Sequence, residues 1–322
     1  MRRAATLAGV ALLDLILTYD CNLACDYCTC AIAMRGRVLP AAAVLEALRR
    51  GRADGFDAVS FTGGEPTVRR DLVGLVRAAR ALGYRELKLQ TNGLLLAQRS
   101  NVERLLAAGV NLVHLSVHTN LAEPYDRMVR RPGSHALMVA ALDQLVASGV
   151  ALRADLIITA GTQPHLEGAV RWLAARGVRR IDFSFVSLTD ANRDNVASLP
   201  RMTEAMPRLA AALAAARELG VEARSLHLPR CLLGADAGHA WDPGSTRVRV
   251  VTPEATFDLA DSRLFGRVHV PACDGCPHRD LCPGVRPDYL ARFGDGEIIA
   301  ARTAQVVTAA EGQAASGSSG SS

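Results

Sequence analysis

Aromatic residues and lysine are scarce in this 322-residue chain. Phe, Trp and Tyr make up only 4% of it, and Lys88 is the only lysine among 37 basic residues, which leave a net charge of +5. Proteins that bind nucleic acid usually combine a basic stripe with aromatic side chains on which bases stack. The arginines here are scattered and form no block of like charge. We therefore interpret them as solvated surface charge, rather than as a site for an anionic partner, and predict no nucleic-acid partner.

The chain also lacks a long apolar run. No stretch reaches about 18 apolar residues, the length that crosses a membrane. The first residues faintly resemble a signal peptide, but they continue into an apolar strand with no cleavage site between. The eight cysteines fall into two groups, which in a cytosolic enzyme indicate metal rather than disulfides. We therefore predict a cytoplasmic protein with no membrane partner.

Short apolar runs alternate with amphipathic runs over the first two thirds of the chain. The strand-like runs are residues 12–18, 58–62, 86–90, 112–117, 154–159 and 181–186. The helix-like runs are residues 41–50, 71–82, 102–108, 135–148, 166–176 and 202–219. Six strand–helix units in series indicate a parallel sheet with right-handed crossovers, whose strands are apolar on both faces beneath covering helices. The predicted fold is α/β, a partial (βα)6 parallel barrel that ends near residue 220, followed by a small C-terminal iron–sulfur domain.

The sequence pattern changes after the sixth unit. Helical periodicity fades, residues 247–251 and 255–259 look like a β-hairpin, and cysteines cluster. We predict three segments: the barrel over residues 1–228, a small domain organised around metal over 229–305, and a disordered Gly/Ser-rich tail over 306–322.

The first cysteine group follows the first predicted strand. Cys21, Cys25 and Cys28 are spaced CxxxCxxC at the barrel edge where the working residues of parallel barrels collect. Four thiolates usually hold a 4Fe–4S cube, so three leave one iron open to a chelating ligand. Zinc is the alternative, but zinc sites usually combine two CxxC pairs, or CxxC with histidines. We predict an iron–sulfur site, and we interpret Cys30 as a spare apolar residue.

Two glycines and a carboxylate follow the second predicted strand, in Gly63-Gly64-Glu65-Pro66. Glycines let a ligand approach the backbone closely, and a carboxylate can receive an ammonium group. Alone this stretch could be a plain turn. It lies about 35 residues after the cysteines, however, and in that place it resembles the GGEP motif of the radical S-adenosylmethionine (SAM) superfamily. The CxxxCxxC spacing of the cysteines resembles the cysteine signature of the same superfamily.

The resemblance implies further residue roles. Gly63, Gly64 and Glu65 would bind the amino group of SAM, Tyr27 would lie near its adenine, and Ser116 would touch its ribose or carboxylate. Thr91-Asn92-Gly93, after the third strand, is similar to the TNG that many members carry. His118, after the fourth strand, either faces the substrate or is structural, and the sequence leaves both interpretations open.

The second cysteine group lies near the C-terminus. Cys273, Cys276 and Cys282 are spaced CxxCx5C, and Cys231 lies 42 positions before Cys273. These four thiols can ligate one 4Fe–4S cube completely, with a zinc ribbon as the alternative. The arrangement resembles the twitch domain, a shortened SPASM domain. It implies one auxiliary cluster with no open iron, in an electron-relay role.

The resemblance also implies the chemistry. In the family, a reduced cluster cleaves SAM to methionine and a 5′-deoxyadenosyl radical, which takes a hydrogen atom from the substrate. The cofactor performs the difficult chemical step, and the protein binds and orients the cofactor and the substrate. An electron donor such as flavodoxin or ferredoxin is implied, and an auxiliary cluster suits net oxidation of the substrate.

Three functions remain open from the sequence. The favoured one is a maturase that modifies a ribosomally made peptide, although the few residues before the first strand leave no room for a leader-peptide-binding domain. The second is a dehydrogenase or oxidase of a small molecule, such as an amino sugar or a cofactor precursor, which suits the compact length. The third is a non-enzymatic metal-binding scaffold, which would have no need for an ammonium pocket.

Overall fold

The computed structural model describes residues 10–30, 32–262 and 268–304. Its strands are β1 Val10–Ile16, β2 Ala58–Thr62, β3 Glu86–Thr91, β4 Leu112–Ser116, β5 Ala151–Ile158, β6 Arg180–Phe185, β7 Glu222–Leu226, β8 Thr246–Val251 and β9 Thr256–Asp258. They form one sheet in the order β7-β6-β5-β4-β3-β2-β1-β8-β9. Neighbouring strands are parallel except for β8 and β9, which are antiparallel. The result is an open, mainly parallel sheet with β7 and β9 at its edges.

Helices connect successive parallel strands from β1 to β8, and two further α-helical segments follow β9. The helices are α1 Ala41–Ala53, α2 Leu72–Ala81, α3 Arg99–Ala108, α4 Ala122–Val129, α5 Ser134–Ser148, α6 Leu166–Ala175, α7 Met202–Glu218, α8 Arg230–Leu233 and α9 Pro287–Phe293, and residues 296–304 are also helical. The chain thus repeats strand and helix from β1 to α7, as the sequence predicted. Helix α4 was not among the helix-like runs predicted from the sequence.

The predicted α/β partial barrel is confirmed, and two further parallel strands extend it. Strand β7 continues the sheet beyond β6. The sequence analysis missed it because Glu222–Leu226 is short and carries two charged residues. The predicted hairpin forms, but β8 pairs in parallel with β1 and so belongs to the same sheet. The boundary at residue 228 stays a prediction, and the hairpin pairs with the barrel across it.

The two faces of the sheet differ more than the sequence predicted. One face of β1 to β6 is apolar and fully buried, through side chains such as Leu15, Phe61, Leu89, Leu115, Leu156 and Phe183. The opposite side of the middle strands carries charged and polar residues instead. The expectation of strands that are apolar on both faces was therefore wrong for β3 to β6. Most of these polar groups are buried or half-buried, and several of them pair with one another.

Asp182 on β6 organises the polar side of the sheet. Its carboxylate is buried and accepts hydrogen bonds from Arg153 Nη1 at 2.8 Å and from Arg224 Nε at 2.9 Å and Nη2 at 2.8 Å. Burial alone would raise the pKa of Asp182, but the two arginines outweigh it and the pKa is lowered. Strands β5, β6 and β7 are thereby joined through one buried carboxylate.

The predicted disordered tail, residues 306–322, lies outside the described residues. None of the helices in the described part of the chain is long and apolar enough to cross a membrane.

We predict that Asp182→Ala destabilises the fold strongly. Removing one partner of a buried ion pair costs about 3–5 kcal/mol when the remaining charge is left buried and uncompensated. We expect a loss at the lower end of that range or somewhat below it, because Arg153 keeps its ion pair with Glu222 at 2.8 Å and Arg224 is partly exposed. The measurement is the free energy of unfolding from urea denaturation. The matched control is Glu103→Ala, which removes an exposed carboxylate paired with Arg99 at 2.7 Å. Such exposed helix pairs contribute about 0.3–0.5 kcal/mol. Equal effects of the two substitutions would contradict the role of Asp182.

Candidate active site

The cysteine loop follows β1 at the carboxyl edge of the sheet. Cys21, Cys25 and Cys28 are close enough for their thiols to interact electrostatically, since Cys28 raises the pKa of both Cys21 and Cys25, and Cys21 raises that of Cys25. All three line one cleft of about 310 Å³, together with Gly64 and Arg35. The structure therefore brings the three predicted ligands to one opening at the end of the sheet.

Hydrogen bonds and burial give the thiols different properties. The Leu23 amide donates to Cys21 Sγ at 3.4 Å, and the Cys30 amide donates to Cys28 Sγ at 3.4 Å. Burial raises the pKa of Cys25 to about 12. The Cys30 thiol donates to Cys28 and lowers the pKa of Cys28 to about 6. Cys30 thus contacts a predicted ligand and lines the same cleft, which sequence spacing alone did not indicate.

Residues distant in sequence fix the backbone of the cysteine loop. The amides of Ala24 and Asp26 donate to carbonyl oxygens at the end of α4, at 3.3 and 3.0 Å. The side chain of Asn192 donates to Tyr27 O at 2.6 Å, and that of Asn195 donates to Asp26 O at 2.9 Å. The sequence analysis missed both asparagines. Their position soon after strand β6 was the one available signal.

The two glycines after β2 let the cysteine loop lie against the sheet. A Cβ at Gly63, whose φ is +127°, would lie 2.4 Å from Thr18 O, and one at Gly64 would lie 2.3 Å from Asp20 O. The Gly64 amide donates to Thr18 O at 2.7 Å, and the Glu65 amide donates to Asp20 O at 2.8 Å. The glycines therefore serve close packing of two backbone segments, and Gly64 also lines the cleft.

Glu65 is completely buried behind the cysteine loop. Its carboxylate accepts hydrogen bonds from the Thr67 amide and hydroxyl at 3.0 and 2.5 Å, from the Thr91 hydroxyl at 2.7 Å and from the Asn92 amide at 2.7 Å. Burial raises the pKa of Glu65, while these donors act in the opposite direction. The carboxylate joins the ends of β2 and β3. Only one of the four bonds reaches Oε2, which leaves that oxygen with acceptor capacity.

The TNG sequence reaches the cysteine loop through Asn92. Its side-chain amide donates to Asn22 Oδ1 at 2.7 Å and lies 3.8 Å from Cys21 Sγ.

Ser116 is the last residue of β4 and lies opposite Asp155 of β5. Tyr27 is half-buried, and its hydroxyl lies 2.6 Å from His118 Nε2.

The four C-terminal cysteines also come together. Cys231 lies in α8, and its pKa is raised to about 11, first by burial and then by Cys282, Cys273 and Cys276. The Arg230 and Gly284 amides donate to Cys282 Sγ at 3.5 and 3.4 Å. Residues separated by up to 51 positions thus form one group of thiols. Among the described residues, no three His, Cys, Asp or Glu side chains are placed to hold a single metal ion.

Comparisons with known proteins agree with this arrangement. Residues 15–159, which include the cysteine loop and Glu65, match the sequence model of the Radical SAM superfamily. The chain contains a radical SAM domain. Its fold resembles Streptococcus suis SuiB bound to precursor peptide SuiA, with a TM-score of 0.66, covering 89% of this chain and 74% of that one. Sequence identity is 17%, so this likeness concerns the fold alone.

Curated relatives match over shorter segments. A PqqA peptide cyclase of Ruegeria pomeroyi is 30% identical over 200 residues, which are 61% of this chain and 53% of the relative. A probable GTP 3′,8-cyclase of Saccharolobus islandicus is 34% identical over 121 residues, 36% of this chain and 37% of the relative. The chain thus spans about a third to a half of these relatives.

We predict that Gly64→Ala prevents assembly of a cluster on the cysteine loop, because its methyl group would collide with Asp20 O. Iron per chain after anaerobic reconstitution should fall by about four relative to the unsubstituted protein. Gly74→Ala is the matched control, since a Cβ there meets no atom within 4 Å. Full iron content in Gly64→Ala, with unchanged circular dichroism in both variants, would contradict the proposed packing constraint.

Proposed function

We propose that this protein is a radical SAM enzyme that cleaves SAM reductively and oxidatively modifies a peptide substrate. The observation that carries the proposal is the placement of Cys21, Cys25 and Cys28 on one cleft at the carboxyl edge of a parallel sheet. Working residues of parallel barrels collect at this edge. The radical SAM domain at residues 15–159 covers the same segment.

The residues around the cleft fit a 4Fe–4S cluster that binds SAM. Three thiols with amide donors at two of the sulfurs are a suitable ligand set for such a cluster. When bound and reduced, the cluster would supply the electron for SAM cleavage. Gly64 lines the cleft and suits the amino group of SAM, whereas Glu65 is completely buried and does not line the cleft, so it would support this group from beneath by joining the ends of β2 and β3. The Tyr27 ring would then lie beside the adenine, and Ser116 would contact the ribose or carboxylate.

We further propose one auxiliary 4Fe–4S cluster, held by Cys231, Cys273, Cys276 and Cys282. The nearby thiols of Cys276 and Cys282 raise the pKa values of both Cys231 and Cys273, which supports a common site. Four protein ligands would leave no iron open to substrate, which suits electron transfer rather than substrate binding.

A second cleft supports a substrate larger than SAM. Its volume is about 400 Å³, and it shares Asp26 and Asn195 with the cleft of the cysteines. Arg127 and His165 line it farther along the carboxyl edge of the sheet. A peptide substrate could thus lie across this edge. The relative named as a PqqA peptide cyclase and the fold of SuiB, solved with a precursor peptide, are consistent with this choice.

A small-molecule substrate is the second candidate. The observation in its favour is the likeness of residues in the radical SAM domain to probable GTP 3′,8-cyclases. A short open reading frame beside the gene would support the peptide, and a gene cluster for a small molecule would support the alternative. The same SAM-binding residues would serve either substrate.

Iron content and SAM cleavage test the proposed function together. Anaerobically reconstituted protein should contain about eight irons per chain. With dithionite and SAM it should release 5′-deoxyadenosine. Release of 5′-deoxyadenosine from protein with about four irons per chain would support SAM cleavage but contradict the auxiliary cluster. Zinc without release would instead support a non-enzymatic scaffold.

Substitution of one cysteine in each group should separate the two proposed clusters. Cys28→Ala should abolish 5′-deoxyadenosine release, because the SAM-binding cluster loses a ligand. Cys276→Ala should retain part of the release but stop formation of the oxidised product. The measurement is 5′-deoxyadenosine and product from the same reaction by mass spectrometry. Normal product from Cys276→Ala would rule out the electron-relay role.

A further inference from the structure

The loop that follows β6 lies against the cysteine loop. We call this loop, residues 187–198, the strap. Three of its nitrogen atoms donate hydrogen bonds to backbone carbonyl oxygens of the cysteine loop: Asn192 Nδ2 to Tyr27 O at 2.6 Å, Asn195 Nδ2 to Asp26 O at 2.9 Å and Ala191 N to Thr29 O at 3.2 Å. The strap therefore holds the main chain on both sides of Cys28.

The short segment between Cys25 and Cys28 is held from two directions. It consists of Asp26 and Tyr27, and the strap binds the carbonyl group of each. From the other direction, the Asp26 amide donates to Met128 O at the end of α4, at 3.0 Å. Each residue of a chain has only two soft backbone dihedrals. Fixing these three peptide groups therefore leaves little freedom in the separation of the two cysteines.

Asn192 is a rigid link between the strap and the cysteine loop. It is 3% exposed, and its side chain bonds in three directions. Besides its bond to Tyr27, Nδ2 donates to Ser187 O at 2.7 Å, and Oδ1 accepts from the Thr189 amide at 2.8 Å. Both hydrogens of the amide group and its oxygen are thus used, so the side chain has one defined orientation.

The strap is also attached at both of its ends to parts of the fold outside the cysteine loop. Near its start, the Leu188 amide donates to Asp288 Oδ2 of α9 at 2.7 Å. At its end, Ser198 O accepts from the Ala160 amide, just after β5, at 2.9 Å. Between these ends, Asn195 lines both the cleft of the cysteines and the second cleft. The strap is therefore a fixed wall shared by the two clefts.

We propose that Asn192 and Asn195 are positioning residues, which hold the segment between Cys25 and Cys28 in place for a shared cluster before that cluster binds. The inference rests on the proposed function, because it takes both cysteines as ligands of one cluster. Ligands that are already in place lose less conformational freedom on binding. The two asparagines act on the cysteines through the backbone of the loop.

Asn192→Asp tests this role with almost no change in size. Aspartate keeps the oxygen that accepts from Thr189, but it replaces the donor that faces Tyr27 O and Ser187 O by a second oxygen. The probe is iodoacetamide, applied to the reduced, metal-free full chain. The measurement is the alkylation rate of each cysteine, resolved by mass spectrometry of the peptides.

We expect Asn192→Asp to raise the alkylation rates of Cys25 and Cys28 about tenfold, because carbonyl groups left without their donor favour local opening of the loop. The rates of Cys231 and Cys273 in the same molecules should stay unchanged. These two thiols are an internal reference, since general unfolding would expose all four.

Asn111→Asp is the matched control. Asn111 Nδ2 donates to Arg85 O at 2.7 Å, and its Oδ1 accepts from the Leu87 amide at 2.9 Å, so the substitution removes the same kind of bond beside the starts of β3 and β4. It should leave the alkylation rates of Cys25 and Cys28 unchanged.

Asn195 provides a conservative rescue. Asn195→Asp removes the donor to Asp26 O, whereas Asn195→Gln returns an amide donor on a longer side chain. We expect Asn195→Asp to raise the alkylation rates of Cys25 and Cys28, and Asn195→Gln to remain closer to the unsubstituted protein. In anaerobic reconstitution, the rate of cluster assembly should fall in the same order.

Four outcomes would overturn the inference while the proposed function stands. They are unchanged alkylation of Cys25 and Cys28 in both strap aspartates, an equal rise at the reference cysteines, an equal rise in Asn111→Asp, or no difference between Asn195→Asp and Asn195→Gln. Zinc without SAM cleavage in the unsubstituted protein would instead overturn the proposed function. The alkylation rates of the metal-free chain would still decide whether the strap holds the cysteine loop.

Discussion

The docking of the cysteine loop onto the turn after β2 is the constraint on which the site depends. The backbones of the two segments pack so closely that neither Gly63 nor Gly64 has room for a Cβ. Hydrogen bonds from the Gly64 and Glu65 amides hold the segments in register. The parallel pairing of β1 with β2 brings the loop to this place. Because Glu65 follows the glycines directly, the packing also carries its carboxylate under the loop, where β3 supplies further donors.

The polar side of the sheet carries further buried contacts, nearer the middle of the strands. Asp182 pairs with arginines of two neighbouring strands, and Asp155, nearer the carboxyl edge, accepts a hydrogen bond from Ser184 Oγ at 2.6 Å. Burial raises the pKa of Asp155 to about 7. The backbone carbonyl of Asp155 receives the turn that contains His118. This turn, in which His118 has a left-handed φ of 61°, is thus held by β5, a strand that also contributes Arg153 and Asp155 to the buried polar network.

The sequence predicted the elements better than their contacts. Apolar runs predicted six strands correctly because each strand has a buried face. Strand β7 was missed because its first four residues alternate between charged and small side chains. The spacing of Cys21, Cys25 and Cys28 identified the loop without any knowledge of the fold. Asn192 and Asn195 could not be found in this way, because they act on residues more than 160 positions earlier. Likewise, the contact between the Tyr27 hydroxyl and His118 Nε2 joins residues 91 positions apart that only the fold brings together.

The C-terminal segment is tied to the barrel at several points, which bears on any electron transfer between two clusters. Strand β8 pairs with β1, and Tyr19 beside the cysteine loop donates to Glu254 of the hairpin turn at 2.8 Å. On the other side, Asp288 of α9 accepts from the Leu188 amide at 2.7 Å, and the Tyr289 hydroxyl accepts from the Met202 amide at 2.8 Å. Attachment through β8 on one side and α9 on the other holds the C-terminal segment against the barrel at two places, an arrangement that would suit the proposed electron relay between the two cysteine groups.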